Sequence, residues 1–393
     1  MDIVLMILYV SILLGFLVFI HEGGHYLASR AFGVRVTEFM IGFPGPGIGF
    51  TKWGTRFGVT CVPLGGYAKV CGMEPGEMSP HLESVLAAIY RRGTANMEDI
   101  AQDCGISNDD ALAALDELVE WGSVKGPTKK DKFNTYRAMA TRPTKGQIKR
   151  AEVAGQPVPL AYELGQPRLV DDPHALFESE YNQQYRSLPF WKRTIILLAG
   201  IAVNLLFAVL VFVVVYSIVG VDMTNSQTGE VSHITMSPLR SVEVGFAYIG
   251  TVVQMVVSLF NPQTAADVVS NSTSVVGIAV MSKTYAEAGL LEFVFFMAML
   301  SVSLGIMNLL PIPPLDGGRF VIEIFQKLTR KNVSTRALSY MSAAGMILFL
   351  GFFAIMVNQD VQRFVFGNWG SSARRSPKCL LSNRGAALFL ARL

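Results

Sequence analysis

The chain has 393 residues, of which 51% are hydrophobic and only 16% charged, against about 25% charged in an average soluble domain. That balance selects a membrane class, and a net charge of +3 over this length is too close to neutral to suggest nucleic acid or another acidic partner as the main ligand. The four cysteines, Cys61, Cys71, Cys104 and Cys379, show neither a CxxC zinc spacing nor the density of a disulfide scaffold, so they read as reduced and structural.

Four uncharged stretches are long enough to cross the hydrocarbon core, which takes about 20 helical residues. They run from Ile3 to Ile20, Thr194 to Val221, Phe293 to Leu315 and Ala337 to Gln359. The first lacks the basic start and cleavage site of a secretory signal and runs directly into His21 and Glu22, so it is expected to stay as a spanning helix. A fifth apolar run, Val244 to Phe260, is short and carries Gln254, which suits an interfacial or bundle-packed helix. Basic residues mark the cytoplasmic side. Arg30 and Arg35 follow the first span, Lys192 and Arg193 precede the second, and Arg319, Lys327, Arg330, Lys331 and Arg336 lie between the third and fourth. Both termini are then expected outside a plasma (inner) membrane. The basic tail, with Arg374, Arg375, Lys378, Arg384 and Arg392, opposes that arrangement.

At the cytoplasmic end of the first span, His21-Glu22-Gly23-Gly24-His25 spells H-E-x-x-H. Residues four apart share one helix face, so both imidazoles can reach one Zn2+ ion, and Glu22 beside them can act as general base toward water. Burying such groups at the end of an apolar helix is costly unless a metal or another partner satisfies them. Hydrolytic zinc takes three protein ligands. Asp316 is the best third candidate, because it ends the third span on the same side in Asn308-Leu309-Leu310-Pro311-Ile312-Pro313-Pro314-Leu315-Asp316-Gly317-Gly318. The prolines forbid a regular helix there, and irregular backbone at membrane depth belongs inside protein or along a wet cavity.

HEGGH and NLLPIPPLDGG in this order resemble the site-2 protease family of intramembrane metalloproteases. GIGF (Gly47, Ile48, Gly49, Phe50), PLGGY (Pro63 to Tyr67) and VVGIA (Val275 to Ala279) are similar to further family segments. The resemblance covers about two-thirds of the chain and points toward the bacterial regulator-of-sigma-E protease group. It implies that His21, His25 and Asp316 bind zinc, that Glu22 is the general base, that Asn308 contacts the substrate backbone, and that a membrane-re-entrant β-hairpin follows the first helix. Many bacterial members carry an outer PDZ domain between the second and third spans, and the roughly 70 residues here leave no room for one.

The residues themselves agree with a hairpin. Glycines and prolines between Gly42 and Gly49 forbid a long helix, and Phe50 to Thr51 and Gly58 to Val62 read as strands around a turn at Lys52 to Arg56. Gly47 to Phe50 would offer an edge to which an unwound substrate adds as a strand. Roughly 110 residues then separate the hairpin from the second span. Leu82 to Arg92, Met97 to Asp103 and Asn108 to Trp121 have helical spacing, with a turn at Gly105-Ile106-Ser107, and Ser123 to Gly126 and Phe133 to Met139 read as strands. Three helices and a two-stranded wing resemble a winged helix-turn-helix domain. Its recognition helix is acidic, with Asp109, Asp110, Asp116, Glu117 and Glu120 and no basic residue, so a protein partner is expected and DNA is not. Thr141 to Pro173 reads as a linker that lets this domain move. His81, His174 and His233 read as isolated surface or packing histidines.

The sequence therefore predicts a mainly α, polytopic membrane protein with four transmembrane helices, a re-entrant β-hairpin and an inserted winged-helix-like α+β cytoplasmic domain. Its divisions are the first helix with HEGGH (1–40), the hairpin region (41–75), the insert (82–140), a linker (141–190), the transmembrane core (191–360) and a disordered tail (361–393). The expected activity is zinc-dependent cleavage within the spans of single-span membrane proteins, in contact with membrane lipid. The alternative is a membrane-anchored metal-binding regulator or scaffold without turnover, for which Glu22 would have no use.

Overall fold

A computed structural model of the protein describes residues 2–366 apart from 63–64, 74–77, 129–130, 132–133, 144, 156–157, 159, 225–230, 314, 332 and 365. Helix α1 (Asp2–Ala31) is 30 residues long, or about 45 Å, so the H-E-x-x-H motif lies within a continuous helix. It stops at Gly33, whose φ of 82° lets Val34 N–H reach back to Ser29 O at 2.9 Å.

Four strands follow: β1 (Val36–Ile41), β2 (Gly47–Lys52), β3 (Thr55–Thr60) and β4 (Gly66–Val70), in the order β2-β3-β1-β4. Strands β1 and β3 run parallel and the other pairs antiparallel. Strands β2 and β3 pair antiparallel across a tight turn; β2 is longer than the expected Phe50 to Thr51, and β3 begins three residues before and ends two residues before the expected Gly58 to Val62. The turn is only Trp53 and Gly54, both at positive φ (53° and 79°), the two-residue geometry that matches strand twist. Strands β1 and β4 were hidden by the flanking glycines. Phe39 and Phe57 meet Tyr26 of α1 edge-on, at 5.6 and 5.5 Å between ring centres, which seats one face of the sheet on the helix.

The insert comprises α2 (Leu82–Arg92), β5 (Thr94–Asn96), α3 (Met97–Cys104), α4 (Asn108–Glu120), β6 (Val124–Lys125) and β7 (Thr135–Ala138), its three strands ordered β5-β7-β6. Helix starts are chemically fixed. Asn96 and Asp99 form a reciprocal capping box, and Ser107 Oγ accepts from Asp110 N–H. Leu86, Ile89, Ile100, Leu115, Leu118 and Trp121 are fully buried in one core.

The linker expected at 141–190 is corrected by the structure: it folds and closes around the insert. It contains α5 (Lys145–Val153) and α6 (Pro173–Tyr181). Phe177 and Tyr181 lie 5.8 and 5.9 Å from Trp121, and the Arg168 guanidinium sits 4.4 and 4.6 Å from the Tyr90 and Tyr162 ring centres. The aromatic residues that the composition masked supply this packing. Arg35, just past α1, joins insert to core: it donates to Trp121 O, Gly122 O, Ser123 Oγ, Glu180 Oε2 and Gln183 Oε1 at 2.9–3.3 Å. Glu117 of α4 accepts from Ser79 N–H and faces Arg186 at 3.4 Å. Two of the isolated histidines also prove paired, His174 with Glu83 at 3.2 Å and His233 with Asp222 at 2.8 Å, both on the surface.

The membrane core contains α7 (Phe190–Val213), the hairpin β8 (Val221–Thr224) and β9 (Val231–Ile234), then α8 (Pro238–Ser258), α9 (Ala265–Asn271), α10 (Val275–Ala288), α11 (Leu290–Asn308), α12 (Asp316–Thr329) and α13 (Thr335–Phe364). Among the described residues, five helices are long and apolar enough to span a bilayer, so this is a multi-pass membrane protein. The fifth is α8. Ser237 caps it ahead of Pro238, and it therefore starts six residues before the apolar run that signalled it. Helix α7 packs against both α1 and α11. Of the tail expected at 361–393, residues 361–364 complete α13, and 365 and 367–393, with Cys379, lie outside the described residues. Cys61, Cys71 and Cys104 are free thiols, and burial pushes that of Cys71 up to about 11, in keeping with an inert structural residue.

Arg35→Ala should destabilise the protein by about 2 kcal/mol, since hydrogen bonds to a charged group are each worth about 1.5–3 and two backbone carbonyls and three side-chain acceptors would lose their donor. Thermal unfolding and proteolysis of the 141–170 segment measure this. An unchanged transition with unchanged cleavage would show that insert and core are held together by other contacts.

Candidate metal centre

The site begins where α1 and α7 cross. A Cβ on Gly24 would stand 2.5 Å from Ala199 O, and a Cβ on Gly200 would stand 2.5 Å from His25 Nε2 and 2.8 Å from His21 Cε1. Absence of side chains at both positions lets backbone meet backbone, as small residues do between membrane helices. Ile196, Gly200 and Asn204, spaced by four on α7, thereby line the two imidazoles.

Each histidine is held from behind. His25 Nδ1 donates to Ile196 O at 2.7 Å. A carbonyl only accepts, so Nδ1 carries the proton and Nε2 of the neutral ring keeps its lone pair. His21 Nδ1 lies 3.2 Å from the Asn204 amide, which is fully buried, while Asn204 Oδ1 has no partner among the described residues. The amide turned over would accept from His21 Nδ1–H, leaving Nε2 of this ring free as well.

Asp316 is brought in by the loop after α11. A Cβ on Gly317 would lie 2.1 Å from Leu309 O, and one on Gly318 2.5 Å from Pro313 N, so the paired glycines let the chain fold back tightly and begin α12 at Asp316. Asp316 Oδ2 then stands 3.0 Å from His21 Nε2 and 3.2 Å from His25 Nε2, and the two Nε2 atoms are 3.3 Å apart. These separations suit a shared tetrahedral ion. With Zn–N and Zn–O bonds near 2.0–2.1 Å, ligand atoms sit about 3.3 Å from one another. His21 and His25 are buried and Asp316 nearly so, and without a cation three electron-rich atoms would converge at a cost. Among the described residues this is the one His/Cys/Asp/Glu group with metal-ligand geometry.

Of the other residues singled out in the sequence, Asn308 reaches the same centre, its Nδ2 3.5 Å from His21 Nε2. Glu22 Oε2 accepts from Ala68 N–H of β4 at 2.9 Å, which ties this carboxylate to the sheet. Gly47, Ile48, Gly49 and Phe50 form the outer strand β2, with Ile48 83% and Phe50 63% exposed. No hydrogen bond joins them to the imidazoles or Asp316 among the described residues. Asn204 and Ala68 were missed by sequence reasoning. Asn204 had a usable signal, since it is an amide in the middle of an apolar helix. Ala68 acts through its backbone, which no sequence pattern marks.

Residues 9–352 match Peptidase family M50. Similar proteins include one from Brucella suis biovar 1 (strain 1330), 27% identical over 368 residues that cover 88% of this chain and 92% of that protein. Another, from Campylobacter jejuni, is 24% identical over 374 residues, covering 90% and 92%. One from Staphylococcus aureus (strain COL) is 35% identical over 126 residues, covering 32% and 29%. All three bear the name "Putative zinc metalloprotease".

Gly200→Ala should push the imidazoles apart and cost most of the metal retained on purification, whereas Gly23→Ala, whose new Cβ meets nothing within 4 Å, should keep it. Elemental analysis of the two variants decides. Equal metal in both would mean that the α1–α7 contact is looser than drawn.

Proposed function

This chain belongs to peptidase family M50, the zinc-dependent site-2 protease family, and from that membership we propose that it cuts the membrane-spanning segments of single-span membrane proteins. The observation that carries the reading is the convergence of His21, His25 and Asp316 beside an intact Glu22. A metal-binding scaffold would need the three ligands but no fourth, acidic group.

In this reading His21 Nε2, His25 Nε2 and one Asp316 oxygen hold Zn2+, with Asn204 Oδ1 and Ile196 O fixing the ring tautomers from behind. The metal supplies a Lewis acid that polarises the scissile carbonyl and makes water acidic. The chain does the rest. Glu22, with Oε2 anchored by Ala68 N–H, uses its other oxygen to take the proton from attacking water and hand it to the departing amide nitrogen. Asn308 steadies the substrate backbone. A helical substrate must unwind first, and β2 offers an unpaired edge with Ile48 and Phe50 exposed to receive it as a strand.

The elements of the insert support a winged-helix-like module. Its α4 presents Asp109 and Asp110 and no basic residue, so the module takes a protein partner, and DNA is a poor ligand. Through Arg35 it is fastened to the end of the metal-bearing helix, and a partner there would regulate access or cleavage. We place the protein in an inner membrane with both termini outside and the insert and metal-side loops in the cytoplasm. Because Asp316, after α11, meets His21 and His25 near the end of α1, α8 adds no crossing in this reading, and reporter fusions after residues 262 and 366 should both report the outer face; a cytoplasmic signal at 262 would overturn the arrangement.

Glu22→Gln should keep zinc and lose cleavage of a model spanning peptide, while His25→Ala loses both. A Glu22→Gln protein that still cleaves would sink the mechanism. Asp316→Asn should lower zinc content and activity together, since an amide is a poorer ligand than a carboxylate. Asn204→Ala should weaken zinc affinity about 10- to 100-fold, the usual effect of removing a hydrogen-bond partner from a metal-bound imidazole. Chelator competition measures both, and unchanged affinity in Asn204→Ala would leave the amide with a packing role alone.

A further inference from the structure

Helix α12 is built inside out for a soluble surface. Its polar side faces protein: Glu323 pairs with Arg193 of α7 at 3.0 Å, and Arg319 Nη1 donates to Met73 Sδ at 3.2 Å. Its apolar residues Val321, Phe325 and Leu328, at i, i+4 and i+7, share the opposite face and are 46%, 50% and 78% exposed. In water such a stripe is unfavourable by its area. The position of the helix says what covers it. The stretch joins the end of α11 to the start of α13, two helices long and apolar enough to span, and packs on α7 just inside exposed Trp191, the kind of residue that marks the membrane boundary. Lys327, Arg330, Lys331 and Arg336 cluster at the end of α12 and the start of α13, exposed and without an ion pair among the described residues.

We propose that α12 lies in the membrane surface as a lipid-binding element, with Val321, Phe325 and Leu328 among the upper acyl chains and the four cations taking the phosphates of anionic phospholipids. An apolar stripe alone would accept any bilayer or a second protein. The unpaired cations beside it add charge complementarity to an anionic leaflet and choose among these occupants. Gly317 and Gly318, locked against the preceding loop, fix the other end of the helix at Asp316, so the stripe has one seat relative to the bundle.

The full-length protein is placed in nanodiscs of phosphatidylcholine, with or without a third of phosphatidylglycerol, carrying a bimane label on Leu328→Cys or Lys331→Cys, with the labelled unsubstituted chain as background for its native cysteines. Lipid brominated along its acyl chains should quench the label at 328 strongly and at 331 weakly, and iodide in the buffer should do the reverse. Iodide quenching of 328 equal to that of 331 would overturn the seat, as would a label shielded from both quenchers, which a docked second copy or protein would give. For the charges, native mass spectrometry should find phosphatidylglycerol retained over phosphatidylcholine, and the quadruple variant Lys327→Gln, Arg330→Gln, Lys331→Gln, Arg336→Gln should lose that preference, by up to about fivefold per cation at low salt. An unchanged preference in the variant would overturn the headgroup assignment. Neither readout uses catalysis, and zinc content measured on the same samples verifies that each variant is folded.

Discussion

Everything at the metal centre rests on how closely α1 and α7 approach. The two helices touch through Gly24 and Gly200, where even a methyl group would meet backbone or imidazole at 2.5 Å. This proximity presents Ile196 O to one ring and Asn204 to the other, and so settles which nitrogen of each histidine faces inward. In a membrane, where apolar side chains gain little by leaving lipid for one another, backbone proximity and buried polar contacts have to supply the association that hydrophobic burial supplies in water. The same few atoms therefore hold the bundle together and hold the ligands ready.

Much of this was legible in the sequence because the chemistry is local. His21 and His25 are one helical turn apart, and the prolines before Asp316 announce a broken backbone, so both halves of the ligand set can be read from short windows. What joins them could not be read that way. Gly200 sits in an apolar run where nothing distinguishes a lipid-facing glycine from one at a crossing. Asn204 was detectable as an anomaly but not as the partner of a particular ring. Strands β1 and β4 escaped because VTEFMI and GYAKV are too short to show a period between glycines, and β1 acquires its parallel partner β3 only through the chain reversal between them. The apparent linker failed for another reason: its polar composition outweighed two aromatic residues, Phe177 and Tyr181, which the fold brings against Trp121 of the insert.

The insert and the metal helix meet at Arg35, a residue that would pass in sequence as a marker of membrane orientation. Its guanidinium spends its donors on carbonyls at the end of α4 and on side chains of the segment that leads into α7. Two parts of the chain, 86 and 148 positions beyond Arg35, thus share its one cation. Such a junction transmits displacement more faithfully than a flexible tether does, because a fork of fixed geometry cannot follow one partner without pulling on the others.

The candidate ligands on α1 and α12 stand 295 positions apart along the chain, with the sheet, the insert and most of the bundle between them. The entropic cost of closing a loop grows only with the logarithm of its length, about 0.6 kcal/mol for each doubling. A loop already this long is therefore nearly indifferent to further growth. Material can be added or exchanged between the two halves of the centre with little thermodynamic effect on it, provided the exchanged piece leaves and enters the bundle at the same points. The arrangement leaves the intervening chain as a place where modules can be exchanged while the two halves of the centre keep their geometry.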